Sequence, residues 1–312
     1  MAKFVLDTNI FYKISENPQK RNKRVRDLQE IKENLILTPI NILEIANCDG
    51  SNEDYYKRKR AMSVLEDVGA NIYLDSSDEV ISKAYGVPVT NRFTDEELRR
   101  IVFALCNSKS FSDLKNGVDD VENRRTIKLN IEVLNEWKKN ARKVFNQKVV
   151  DGNRDIQIEI KQKLEGQDSS MEKKLFRGMK RKAIIKAISS ISVYAYMIIG
   201  LAERAGLIQE NIYEEICNNF DIVQFESTLS DALEHYDDSL EEYITTYLIY
   251  RYKTLYGIHP EKNDLFDLEF FTYLNVIEDS KFVTDENLWI NIDLEYQLEK
   301  VISYDNFQNE FM

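Results

Sequence analysis

The chain has 312 residues, 43% of them hydrophobic and 31% charged, with a formal net charge of −12. That length and balance support a sizeable core and exclude wholesale disorder. The three cysteines, Cys48, Cys106 and Cys217, lie far apart with no CxxC spacing, which argues against a disulfide framework or a structural zinc site and for a reducing, cytoplasmic setting.

The acidic average conceals segregated charge. Residues 138–186 hold fifteen Lys and Arg against six Asp and Glu, whereas residues 208–312 hold five against twenty-four. Two smaller basic clusters lie earlier, Lys20-Arg21-Asn22-Lys23-Arg24 and Lys57-Arg58-Lys59-Arg60. Only ten Gly and four Pro punctuate the chain, a pattern that favours long helices.

In chain order, Met1-Ala2-Lys3 leads directly into an apolar strand, Phe4–Leu6, with no secretory leader expected. Helical residues follow through Ile31. A second strand, Leu35–Leu37, ends at Thr38-Pro39, and a helix with Pro39 in its first turn carries Ile42, Leu43, Ile45 and Ala46 with Glu44 among them. Ala70–Leu74 reads as a third strand, followed by a helix to Tyr85-Gly86. Strands alternating with helices predict an α/β fold, a parallel sheet with helices on both faces.

Thr94-Asp95-Glu96-Glu97 is a capping box opening a helix with Leu98, Ile101, Val102 and Leu105. From there to Leu248 the periodicity is helical, so residues 93–247 are predicted to form an all-helical insertion between two parts of one domain, 1–92 and 248–312. Within it Ala187 to Ala202 carries no charge, yet the run is shorter than the roughly 18 to 20 apolar residues of a membrane span. It also contains three serines and two tyrosines. A buried core helix is expected. After Tyr256-Gly257, Leu268–Val276 reads as a helix apolar nearly all round, Lys281–Thr284 as a short strand, and the tail as a last strand and helix.

Four carboxylates stand where core elements end or face inward: Asp7 after strand FVL, Glu44 in NILEIA, Asp267 heading DLEFFTYL, and Asp285 after FVT. Ligands of open α/β sheets bind beyond the carboxyl ends of the strands, so Asp7 and Asp285 are expected to share one crevice. Clustered hard oxygen ligands without nearby His or Cys suit magnesium or manganese rather than zinc. His235 and His259 are the only histidines, leaving little material for His-based catalysis. Nothing resembles a P-loop, a dinucleotide fingerprint or a zincin motif.

Asp7-Thr8-Asn9 after an apolar strand, Thr38-Pro39-Ile40-Asn41-Ile42-Leu43-Glu44, and Asp267 ahead of Thr284-Asp285 together resemble the PIN-domain nucleases, a family that includes many bacterial toxin ribonucleases. The resemblance covers roughly residues 1–90 and 255–295. It implies a PIN-like parallel sheet, Mg²⁺ or Mn²⁺ held by Asp7, Glu44, Asp267 and Asp285, and hydrolysis of phosphodiester bonds in single-stranded RNA. A role as a toxin or phage-defence effector, with a neutralising or activating protein partner or self-association, would follow. Asn9 and Thr284 would fix carboxylate rotamers through hydrogen bonds. The sequence departs from the family in its long insertion and in its last motif. That motif usually reads Thr-x-Asp but here reads Thr284-Asp285-Glu286, so either acid is eligible and Asp285 is preferred. Asp264, one turn before Asp267, is a ligand, a cap or neither.

For the nucleic acid, the resemblance directs attention to the basic segments. Lys173, Lys174, Arg177, Lys180, Arg181 and Lys182 interleave with Phe176 and Met179 in a pattern able to track an RNA backbone, or to form a solvated face. Lys20, Arg21, Lys23 and Arg24 flank a strand that feeds the acids. A structure-specific DNA or flap nuclease and a catalytically inactive nucleic-acid-binding module are the alternatives.

Overall fold

The short apolar run Phe4-Val5-Leu6 pairs on both sides and so becomes the central strand of the molecule. The computed structural model describes residues 2–48, 50–73, 75–89, 94–130, 191–256, 261 and 263–312. Strand β1 (Lys3–Leu6) leads into helices α1 (Thr8–Ser15) and α2 (Pro18–Glu30), then β2 (Leu35–Leu37), α3 (Pro39–Ala46) and α4 (Asn52–Val68). Next come β3 (Asn71–Ile72), α5 (Ser77–Ala84), α6 (Asp95–Asn107), α7 (Phe111–Asn116), β4 (Val118–Asp120) and β5 (Arg125–Ile127). After residue 190 follow α8 (Ile191–Ala205), α9 (Ile212–Asn218), α10 (Ile222–His235), α11 (Glu241–Tyr256) and α12 (Asp264–Glu269), the last running into a 3-10 turn (Phe270–Tyr273). The chain closes with β6 (Ser280–Thr284), α13 (Asn287–Tyr296), β7 (Val301–Ser303) and α14 (Tyr304–Phe311).

Five strands form one sheet in the order β3-β2-β1-β6-β7, and every pairing is parallel. Side chains alternate across it. Phe4 and Leu6, together with Leu35, Leu37, Val283 and Ile302, enter a core shared with α1, α2, α3, α4, α6 and α14. Val5 and Phe282 enter a second core with α5, α8, α11, the 3-10 turn and α13. The fold is therefore α/β with helices on both faces, as the alternating pattern predicts.

The segment 93–247 departs from expectation in one respect. It is not all helical, because β4 and β5 form an antiparallel hairpin, Val118 opposite Ile127 and Asp120 opposite Arg125. Three-residue strands rich in charge are too short to set up a readable two-residue period. Its described parts pack into both cores of the sheet. Leu98, Leu105, Leu114, Val118 and Ile127 join the first core, while Ile198, Leu201, Tyr243 and Ile244 join the second.

Local signals explain most boundaries. Thr38 caps α3 reciprocally with Asn41, and Thr94 caps α6 with Glu97. The helix expected from Leu268 instead begins at Asp264 and tightens into the 3-10 turn at Phe270, because Asp264 accepts the Glu261 N–H and starts an earlier turn. Of the uncharged run, residues 191–202 belong to α8, which packs on α5 and α10. Among the described residues no helix is long and apolar enough to cross a membrane.

Candidate functional site

Chain connections leave β1 toward β2 on one side, while β6 enters on the other, so the order of the sheet reverses between these two strands. Their carboxyl ends flank a crevice of the kind in which open α/β sheets bind ligands. Asp7 stands directly there. Its N–H donates to the Val283 carbonyl of β6 at 2.9 Å, extending the pairing of β1 and β6 by one rung. Extended at φ −64° and ψ 142°, it caps α1, Oδ1 accepting from the Asn9 N–H at 3.0 Å. Its Oδ2 accepts the Thr284 hydroxyl at 2.5 Å. Capping thus accounts for one oxygen only.

Asp7 is 1% exposed. Among the described residues no Lys, Arg or His forms an ion pair with it. Burial therefore pushes its carboxyl up from 3.8 to about 7, against the lowering effect of the Thr284 and Asn9 bonds, with Glu44 and Glu286 pushing further in the same direction. Asp267, on the last turn of α12, is also buried and accepts the Trp289 indole N–H at 3.1 Å. Burial raises it well above the carboxylate range, and Asp7, Glu44 and Glu286 are the acidic neighbours that add to the effect.

Glu286 reaches the same place from the other side. Asn9 Nδ2 donates to its Oε1 at 2.9 Å, and its own N–H donates to the Thr284 hydroxyl oxygen at 3.0 Å. Burial raises its carboxyl, with Glu261, Asp264 and Asp285 contributing. Asp285 turns away. Its Oδ2 takes a 2.6 Å ion pair from Lys13, which also lies 5.3 Å from the centre of the Tyr304 ring. Glu44 and Glu286 therefore both act on the charge of Asp7 and of Asp267, while Lys13 holds Asp285 at the rim. Asp264, whose charge also bears on Glu286, accepts both the Tyr250 hydroxyl and the Glu261 N–H at 2.8 Å.

Glu44 is carried by α3, whose placement depends on Asn41 and Arg58. Asn41, fully buried, donates to the Leu6 carbonyl at 2.9 Å and to the Thr8 hydroxyl at 3.2 Å while accepting the Thr38 N–H at 2.9 Å. It ties the start of α3 to the end of β1. Arg58 of α4 holds the other end of α3, donating to the Glu44 and Ile45 carbonyls while paired with Asp54 at 2.7 Å. An Asn three residues after Thr38 is a readable capping signal; Trp289, 22 residues from Asp267, has none.

Among the described residues no three His, Cys, Asp or Glu side chains converge tightly enough to enclose an ion as they stand. Unshielded like charges repel, and Asp7, Asp267 and Glu286 each lean on a protein donor, Thr284, Trp289 and Asn9. A groove of about 520 Å³ lined by Lys253, Leu288, Asn291, Leu294 and Glu295 follows the outside of α13, and none of these acids lines it.

A scan against protein-family models finds no match, and neither a curated protein nor a solved structure matches the chain.

The basic residues of α2 divide. Lys20 and Lys23 are exposed, whereas Arg21 is engaged with Asp67 and donates to Ser63 at 3.0 Å. Arg24 is half-buried and its charge is felt by Tyr304. In the second early cluster, Arg58 is structural, and Lys57 lies 5.1 Å from the Tyr12 ring centre. Lys173, Lys174, Arg177, Lys180, Arg181 and Lys182 lie outside the described residues, as do His259 and Leu74.

Proposed function

We propose that the chain is a metal-dependent endoribonuclease of PIN type, hydrolysing phosphodiester bonds in single-stranded RNA with Mg²⁺ or Mn²⁺. The observation that carries the reading is buried Asp7 bonded to Thr284 across the carboxyl ends of β1 and β6, where the sheet order reverses, with Glu286 tied to the same Thr284 and Glu44 and Asp267 near enough to act on the shared charge. Two of these acids are buried without a cationic partner among the described residues, an arrangement unfavourable if both are charged, since their bonds to Thr284, Asn9 and Trp289 offset only part of the burial. Hard oxygen donors held in this way fit a divalent cation, which would restore their ionised forms.

Of the two acids left open by the motif Thr284-Asp285-Glu286, Glu286 is the better fourth ligand. It holds the third place of Thr-x-acid and lies on the Asn9 side, while Lys13 occupies Asp285. A bound ion supplies polarisation of the scissile phosphate and acidification of a water. The protein's part is positional. Thr284 and Asn9 fix the rotamers of Asp7 and Glu286, and Glu44, carried by the firmly tied α3 and near enough to act on Asp7 and Asp267, would hold a second ion or orient a water.

The substrate class is tested by competition. Labelled single-stranded RNA should be cut in Mn²⁺, and excess unlabelled RNA but not branched DNA should suppress the cutting. Preferential cleavage of the branched DNA would replace this reading with a structure-specific DNA nuclease.

A further inference from the structure

Two aromatic side chains meet α12 through their only polar atoms. Tyr250 donates its hydroxyl to Asp264 Oδ2 at 2.8 Å, and Trp289 donates its indole N–H to Asp267 Oδ2 at 3.1 Å. Their rings pack with centroids 5.6 Å apart. Trp289 also packs on Phe271 at 5.5 Å, and Phe271 on Phe282 of β6 at 5.4 Å. All four rings are buried.

An indole N–H can only donate, and a ring wedged among other rings cannot turn to find another acceptor. The stack thus fixes which oxygen of Asp267 is engaged, leaving Oδ1 for whatever the site binds. Asp264 is held differently. Its Oδ2 receives both the Tyr250 hydroxyl and the Glu261 N–H, a main-chain donor that ties it to the turn ahead of α12.

We propose that Trp289 is a positioning residue that sets the Asp267 carboxylate for a divalent cation, and that its indole senses occupancy of the site. The inference rests on the nuclease reading above. Donors behind a metal-ligating side chain typically change ion affinity by about 10- to 100-fold when removed, and an indole hydrogen-bonded to a ligand sits close enough for a paramagnetic ion to quench it.

The chain has one other tryptophan, Trp137, so Trp137→Phe leaves emission from Trp289 alone. The full-length variant is titrated with Mn²⁺ while indole emission and calorimetric heat are followed in parallel. Saturable quenching with the calorimetric midpoint is expected. Trp289→Phe should raise the Kd for Mn²⁺ by about 10- to 100-fold, whereas Tyr250→Phe, which touches Asp264, should leave it unchanged. Calorimetric binding without any change of emission, or wild-type affinity in Trp289→Phe, would overturn the inference while leaving the ion site standing. If Trp289→Phe does not fold, the emission titration decides alone. Absence of calorimetric binding to the wild-type chain would bring down the nuclease reading, and this inference with it.

Discussion

Replacing Asp7 with asparagine should stabilise the ion-free chain at neutral and alkaline pH and do little at acidic pH. Burial moves this carboxyl from 3.8 to about 7. Between those values the folded chain holds a proton that the unfolded chain has released, so stability falls as pH rises. The favourable contribution is complete below about pH 4 and lost once pH passes about 7. At about 1.4 kcal/mol per unit, a displacement of roughly three units corresponds to about 4 kcal/mol. Asparagine keeps the volume and is neutral throughout, so its variant escapes the loss. Urea unfolding of both proteins in EDTA, at steps from about pH 5 to pH 8, reads the difference as a gap that opens with pH. Adding Mn²⁺ at about 100 times its Kd should return roughly 2.7 kcal/mol to the wild type and nothing to the variant. A variant less stable than wild type by the same amount at every pH would refute the reasoning and leave Asp7 as an ordinary helix cap.

Three further outcomes follow from the same geometry. Glu286→Gln should weaken Mn²⁺ binding by at least about tenfold, measured by calorimetry. Asp285→Asn, which removes only a half-exposed pair with Lys13, should leave that affinity unchanged and cost less than about 1 kcal/mol in urea unfolding. Asn41→Leu strands the Leu6 carbonyl, the Thr8 hydroxyl and the Thr38 N–H in the interior, so its unfolding free energy should fall by about 2 kcal/mol or more.

The sheet and the position of Asp7 were legible because each central strand is a short apolar run that stops at a polar residue. Phe4-Val5-Leu6 before Asp7 and Phe282-Val283-Thr284 before Asp285 place two strand ends side by side once the strands pair in parallel. The choice between Asp285 and Glu286 was harder, because proximity to the strand end is a weaker guide than the alternation of side chains. Thr284 faces Asp7, Glu286 follows in extended backbone, and side chains two residues apart share a face, whereas Asp285 between them points to Lys13. The hairpin at 118–127 left no periodic trace, since each strand spans three residues. Packing of 94–130 and 191–256 on opposite faces of one sheet was likewise invisible, because helical periodicity gives the buried stripe of a helix but not the surface that covers it. Trp289 acts through a contact distant in sequence that no local pattern names, and Asn41, readable as the cap partner of Thr38, gives no local sign of its bonds to Leu6 and Thr8.

The central claim is that these acids hold a divalent cation for hydrolysis of RNA. Its most direct test is cleavage of labelled single-stranded RNA by the purified chain and its Asp7→Asn variant, in Mn²⁺ and in EDTA. The account predicts cutting by the wild type in Mn²⁺ alone, reduced by more than about 100-fold in the variant. Equal cutting by both proteins, or cutting that persists in EDTA, would contradict it.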